Sequence, residues 1–134
     1  ATSIPRRIIL VDAGVLLRFG EFERILIHEL FHFVWVRLSN ATRREWERIL
    51  AREITARARG ELGWSAESRK LRLTARDRRD RTRLWRSYAC ESFCDTAAWM
   101  YGSRRLHDEF TLPVVPRRRR RIWFRRHLQS GVAV

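Results

Sequence analysis

Apolar residues occupy almost every position from 25 to 36, so this stretch is predicted to form a helix that is buried on all sides. The whole helix is expected to span residues 21–39. A second helix is predicted over residues 42–59, because Thr42 and Glu45 form a capping-box pattern and apolar side chains then recur on one side only. The first helix is therefore the expected centre of the fold.

A third and longer helix is predicted after a loop at residues 60–74. Thr74, with Asp77 three residues later, can cap the start of this helix. Gly102 can end it, so the helix would run to about Tyr101.

Two short runs of β-forming residues, 7–11 and 15–19, flank the turn-forming residues 12–14 and predict a β-hairpin before the first helix. The sequence shows no internal repeat and no glycine-rich phosphate loop. Together these elements predict an α+β, predominantly helical fold in a single domain over residues 1–134.

Residues 103–134 differ in character from the rest and are predicted to form an extended basic segment. Pro113 and Pro116 each push the preceding residue out of the helical region. An apolar triplet at 122–124 then lies among arginines. The segment could pack this triplet on the domain with its arginines solvated, bind nucleic acid or an acidic membrane surface, or lie near a cleft and limit access to it.

The formal net charge of +14 comes almost entirely from arginine. Nucleic acid is therefore an obvious class of partner, because phosphate contacts come mainly from Arg and Lys. The arginines are nevertheless spread over all polar segments, and no helix-turn-helix, zinc-finger or RNA-binding motif is present. Nucleic-acid binding is kept as an alternative to an enzymatic function.

No run of 18 apolar residues occurs, so no membrane span is expected. Cys90 and Cys94 would lie one helical turn apart, a geometry poorly suited to a disulfide. They are expected to be reduced, which favours a cytoplasmic location, although a leader trimmed before Ala1 would not be visible. The sequence leaves the oligomeric state open.

The first helix carries a His-Glu-x-x-His motif from His28 to His32. Because the two histidines are four residues apart, they lie on one face of the helix and can bind one Zn²⁺ from the same side. Glu29 lies to one side of that face, where it can reach a metal-bound water. In the alternative interpretation both histidines are core residues bonded to backbone, but a buried glutamate between them is then costly without a compensating charge.

A catalytic zinc site needs a third protein ligand. The metzincin pattern would require Gly at position 35 and His at position 38, where this chain has Trp35 and Leu38. The two histidines outside the motif have no supporting context. Glu91 and Asp95, four residues apart on the third helix, are better candidates, since one can bind metal while the other accepts a hydrogen bond from a ligand histidine.

The distribution of arginine supports the pairing of these two helices. The longest stretch without Arg or Lys is residues 87–103, and the second longest is residues 25–36. A metal site is expected to exclude neighbouring cations, which would compete with the metal for its carboxylates. Any buried helix also excludes Arg, but only a metal site accounts for the acidic residues inside both stretches.

In these two segments the chain resembles the gluzincins, the thermolysin-like zinc metallopeptidases, in which His-Glu-x-x-His is followed on a second helix by Glu-x-x-x-Asp. The resemblance implies that His28, His32 and Glu91 bind one zinc ion per chain. It also implies that Glu29 is the general base and that Asp95 orients a ligand histidine.

The chain departs from the family pattern at two points: Cys90 stands where the family often has Asn, and the spacer from His32 to Glu91 is longer than in the larger members. A second helical subdomain is also absent, so the chain resembles only the minimal, single-domain gluzincins. Cys90 and Cys94 beside Glu91 also leave a weak case for a structural zinc site with thiolate ligands.

The sequence therefore predicts a zinc metallopeptidase that hydrolyses a peptide or protein substrate through a zinc-bound water activated by Glu29. Tyr88, one turn before Glu91, and His107, after the third helix, are candidates for the oxyanion donor. Two alternatives remain: a zinc-binding protein whose closed site has no peptidase activity, and a nucleic-acid-binding module with incidental metal.

Overall fold

The computed structural model describes residues 1–14 and 18–128. The predicted α+β, mostly helical fold is confirmed over these residues. None of the described helices is long and apolar enough to cross a membrane. The elements are β1 Thr2–Ser3, β2 Ile8–Ile9, α1 Phe19–Arg37, α2 Asn40–Thr55, α3 Trp64–Lys70, α4 Ala75–Asp80, α5 Arg83–Tyr101 and α6 Val114–Leu128.

The N-terminal hairpin is present, but its strands are not the predicted ones. β1 pairs with β2 in antiparallel register, so the turn lies at residues 4–7 rather than 12–14. Pro5 explains this position, because it lacks an N–H for strand pairing and favours a turn. Of the predicted second strand, residues 15–17 lie outside the described residues, and Phe19 begins α1 instead.

α1 and α5 pack against each other at the centre of the fold. An aromatic core lies beside this pair, around Phe93 of α5. Its ring lies 5.9 Å from that of Trp46 on α2 and 5.0 Å from that of Phe124 on α6, measured between ring centroids. Burial of such large rings dominates the stability of a small domain and here holds α2 and α6 against the central pair.

The third predicted helix is two helices in the structure. Thr74 begins α4 in the predicted capping box with Asp77. Arg81 then takes a left-handed conformation, with φ of 46°, and ends this helix after six residues. The side chain of Thr82 accepts a hydrogen bond from the N–H of Trp85 and caps α5. The Glu-x-x-x-Asp segment still lies on a long helix, as predicted.

Part of the loop predicted at residues 60–74 forms α3. Seven residues are too few for a helical period to be visible in the sequence. A side chain at Gly63, just before α3, would overlap the carboxylate of Asp95 on α5. Glycine therefore permits the close approach of α3 to α5.

The C-terminal segment is a helix over residues 114–128, so the prediction of an extended chain was wrong. Pro116 lies in the first turn of α6, where the helix needs no backbone N–H. The four buried positions of α6 follow a helical period. The period is hard to recognise in the sequence because one of these positions is an arginine. The four positions are Pro116, Arg120, Trp123 and Phe124.

Arg120 is completely buried and connects α6 with α2 and with the chain before α3. Its guanidinium donates two hydrogen bonds each to the carboxylates of Glu53 and Glu61, over 2.6–3.0 Å. The hydroxyl of Tyr88 on α5 also donates to Glu61. Burial alone would raise the pKa of Glu61, but the charge of Arg120 lowers it below its usual range.

Candidate metal centre

The structure brings the two sequence motifs together between α1 and α5. One ligand atom from each of His28, His32 and Glu91 lies within 4.8 Å of the others. Nε2 of His28 is 3.2 Å from Oε2 of Glu91, and Nε2 of His32 is 3.7 Å from Oε1 of the same carboxylate. Ligand atoms around a tetrahedral zinc ion are about 3.3 Å apart, given metal–ligand bonds of roughly 2.0–2.1 Å. The three side chains therefore fit zinc in both chemistry and spacing.

Asp95 holds His28 from the side opposite Glu91. Its Oδ1 lies 2.7 Å from Nδ1 of His28, and its Oδ2 accepts a hydrogen bond of 2.9 Å from the backbone N–H of Ala66 in α3. Because Nδ1 of His28 is occupied, Nε2 is the nitrogen that faces Glu91. The carboxylate thus lies where it can fix the orientation of the ring, as the resemblance implies for this residue.

The two carboxylates favour positive charge at this point of the interior. Burial lowers the pKa of His28, but the hydrogen bonds to Asp95 and Glu91 outweigh it and raise the pKa to about 10. Burial raises the pKa of Glu91, but the hydrogen bonds from His28 and Ser65 lower it to about 2. Glu91 is therefore ionised at neutral pH, as a metal ligand must be.

A second group of potential ligands lies on the other side of His32. Nδ1 of His32 is 3.5 Å from Sγ of Cys90, and these two residues with Cys94 also bring ligand atoms within 4.8 Å. Both thiols are free, and the hydrogen bond with Cys94 is the main cause that lowers the pKa of Cys90 to about 6. Burial raises the pKa of Cys94 well above its usual value. Two His and one Glu match the ligand set of a catalytic zinc site, so the His-His-Glu group is the better candidate.

A cleft of about 320 Å³ opens beside the centre, and both His28 and Glu29 line it. The hydroxyl of Thr2 in β1 donates to the Glu29 carboxylate, so the hairpin lies next to this side chain. A larger cavity of about 410 Å³ lies along α2 and α4, but no histidine, cysteine or carboxylate lines it. The other residues that line the cleft are Arg24, Ile25, Trp64, Ser65, Asp95 and Glu109.

Neither predicted oxyanion donor lines the cleft. Tyr88 is fully buried, and its hydroxyl is bonded to Glu61, because a buried phenol needs a polar partner and Glu61 supplies one. His107 lies outside the cleft wall, with Nε2 2.6 Å from Oε1 of Glu21 and Nδ1 accepting from the backbone of Glu109. The geometry therefore favours neither residue as the oxyanion donor.

α3 supplies two contacts to Glu91 that the sequence did not reveal. The hydroxyl of Ser65 donates to Oε2 of Glu91, and Nη2 of Arg69 lies 3.8 Å from Oε1. The expectation that cations are excluded from the site is therefore wrong for α3, although it describes the sequences of the two central helices. Ser65 and Arg69 could have been identified from the sequence only if α3 had been predicted as a helix.

Comparisons of the chain with protein-family models, with curated proteins and with solved structures gave no match. The principal support for a function is therefore that the His-Glu-x-x-His motif of α1 and the Glu-x-x-x-Asp motif of α5 lie next to each other in the fold.

Proposed function

We propose that the protein is a zinc-dependent metallopeptidase of the minimal gluzincin type. One observation carries the proposal: two histidines from α1 and one glutamate from α5, distant in sequence, place their ligand atoms within 4.8 Å of one another. Glu29 follows the first of these histidines directly and lines the adjoining cleft. Two His and one Glu are the ligand set of thermolysin-type catalytic zinc, which keeps a fourth position for water or substrate.

Zinc bound at this centre would supply Lewis acidity, which lowers the pKa of a water molecule and polarises a peptide carbonyl. The carboxylate of Glu29 accepts the proton of the attacking water and passes it to the leaving amine. Asp95 keeps the His28 ring in the tautomer that leaves Nε2 free. Ser65 holds the Glu91 carboxylate in place.

Arg24, rather than Tyr88 or His107, is the proposed oxyanion donor. It lies one helical turn before His28 and is the only arginine or lysine among the described residues that line the cleft. Its Nη atoms bond to Glu21 and Glu109, whereas its buried Nε has no acceptor among the described residues. This N–H would donate to the substrate carbonyl oxygen as negative charge develops there.

A zinc protein that is inactive in isolation is the second candidate. The hydroxyl of Thr2 donates a hydrogen bond to the Glu29 carboxylate. In such a protein this bond would keep Glu29 from acting as the general base. The C-terminal helix does not contribute to this restraint, because no residue of α6 lines the cleft.

Hydrolysis of a quenched-fluorescent peptide library separates these functions. We expect cleavage by the zinc-loaded protein, loss of cleavage after treatment with a chelator, and recovery when zinc is added back. A chelator saturated with zinc beforehand is the matched control and should leave the rate unchanged. Bound zinc without cleavage would favour the inactive zinc protein, and cleavage that resists chelation would contradict both.

A further inference from the structure

A second concave surface lies between α2 and α6, and we call it the α2–α6 groove. Its volume is about 360 Å³, similar to that of the cleft at the metal centre. None of its residues lines the metal cleft, so the two sites are separate. It is lined by Glu45, Arg48, Ile49, Arg52, Arg119, Ile122, Trp123 and Arg126.

Four guanidiniums border the α2–α6 groove. Arg48 and Arg52 lie one turn apart on α2, and Arg119 and Arg126 lie two turns apart on α6. All four are exposed, and among the described residues none lies within 4.0 Å of a carboxylate oxygen. The one acidic residue of the groove, Glu45, is engaged by Nε2 of His127 at 2.7 Å. The groove is therefore strongly electropositive, and no carboxylate of the described residues 1–14 and 18–128 pairs with these four charges.

Trp123 lines this groove and carries an unsatisfied donor. Only 5 % of the residue is exposed, and its indole Nε1 has no hydrogen-bond partner among the described residues. A buried N–H without an acceptor is unfavourable, because it has lost its hydrogen bonds to water. An acceptor oxygen brought by a ligand would remove that cost. This observation is independent of the charge and indicates that a ligand with a hydrogen-bond acceptor would be favoured beside Trp123.

We propose that the α2–α6 groove binds single-stranded nucleic acid. The four guanidiniums contact backbone phosphates, and the Trp123 N–H donates to an oxygen of the bound strand. Ile49 and the exposed Ile122 offer apolar contact to bases between the two rows of arginines. A membrane surface fits less well, because membrane-binding helices present a protruding apolar face, whereas here the apolar residues share a concave surface with arginines.

Fluorescence anisotropy of a labelled oligothymidylate tests the proposal. The groove variant replaces Arg48, Arg52, Arg119 and Arg126 with Gln. The matched control removes the same number of charges from exposed positions elsewhere, by replacing Arg72, Arg76, Arg83 and Arg105 with Gln.

We expect the groove variant to bind at least about tenfold more weakly than the control variant, with the slope of log K against log salt reduced by about 3, since each phosphate contact of a single strand contributes roughly 0.7. Circular dichroism melting would establish that both variants fold. Equal weakening in both variants would overturn the proposal, because net charge alone would then account for binding. Binding only to phosphatidylserine-containing vesicles, with no binding of the oligonucleotide, would also overturn it. Neither outcome depends on the metal centre, so the peptidase proposal stands or falls separately.

Discussion

Replacing Glu29 with Gln is expected to lower the rate of peptide hydrolysis by about a thousandfold while zinc content stays unchanged, because a general base contributes roughly 10²–10⁴ to the rate. The amide has the size of the carboxylate and can still accept a hydrogen bond from Thr2, but it cannot take a proton. Glu29 lines the cleft without belonging to the group of potential ligands. The loss should therefore appear in kcat, and substrate binding should change little.

Glu23→Gln is the matched control on the same helix. Glu23 accepts hydrogen bonds from the backbone and side chain of Ser103 and does not line the cleft. The peptidase activity of the Glu23→Gln variant should remain within a few-fold of the wild-type activity. Glu29→Gln protein that keeps its zinc and still cleaves peptides at the wild-type rate would show that Glu29 is not the base.

Replacing Arg120 with Met is expected to destabilise the fold by about 3–5 kcal/mol, because it removes the hydrogen-bonded counter-charge of the buried carboxylates of Glu53 and Glu61 and leaves only Lys70, 3.8 Å from Glu61. For a domain of this size the midpoint of thermal unfolding should fall by roughly 10 °C or more. Burial contributes to the size of the effect: Arg120 and Glu61 expose 0 % of their side chains, so water cannot solvate the stranded charges. Thermal unfolding followed by circular dichroism measures this shift of the midpoint.

Two further variants distinguish loss of the ion pair from loss of a side chain. Arg118→Met makes the same change at an exposed position of α6 and should leave the midpoint almost unchanged. Adding Glu53→Gln and Glu61→Gln to Arg120→Met removes the stranded charges and should recover part of the lost stability. A single Arg120→Met variant that melts with the wild type would contradict the buried network.

The sequence was sufficient to predict the pairing of the two motifs. His28 and His32 require a third ligand, and the stretch around Glu91 is the other acidic segment from which arginine is absent. The structure places these side chains together. The pairing could be predicted because the two longest stretches without arginine or lysine mark the two central helices, a property that a local stretch of sequence records. Metal binding by these residues stays a prediction.

Features that depend on contacts between distant segments could not be predicted in the same way. α3 has seven residues, and its place against Asp95 depends on the absence of a side chain at Gly63. The sequence predicts an extended chain where α6 forms, because Pro113 and Pro116 disfavour helix at the residues before them and because Arg120, an arginine, occupies a core position. Arginine is a reliable sign of the surface only where no buried carboxylates pair with it.

Zinc content of the purified wild type and of Glu91→Ala, measured by elemental analysis, tests the proposed centre most directly. We predict about one zinc per chain in the wild type and a much lower content in Glu91→Ala, since a catalytic site depends on all three protein ligands. Glu67→Ala, on α3 and away from the cleft, should retain the wild-type content. A wild type that contains no zinc after purification under zinc-replete conditions, or a Glu91→Ala variant that holds as much as the wild type, would contradict the His-His-Glu centre.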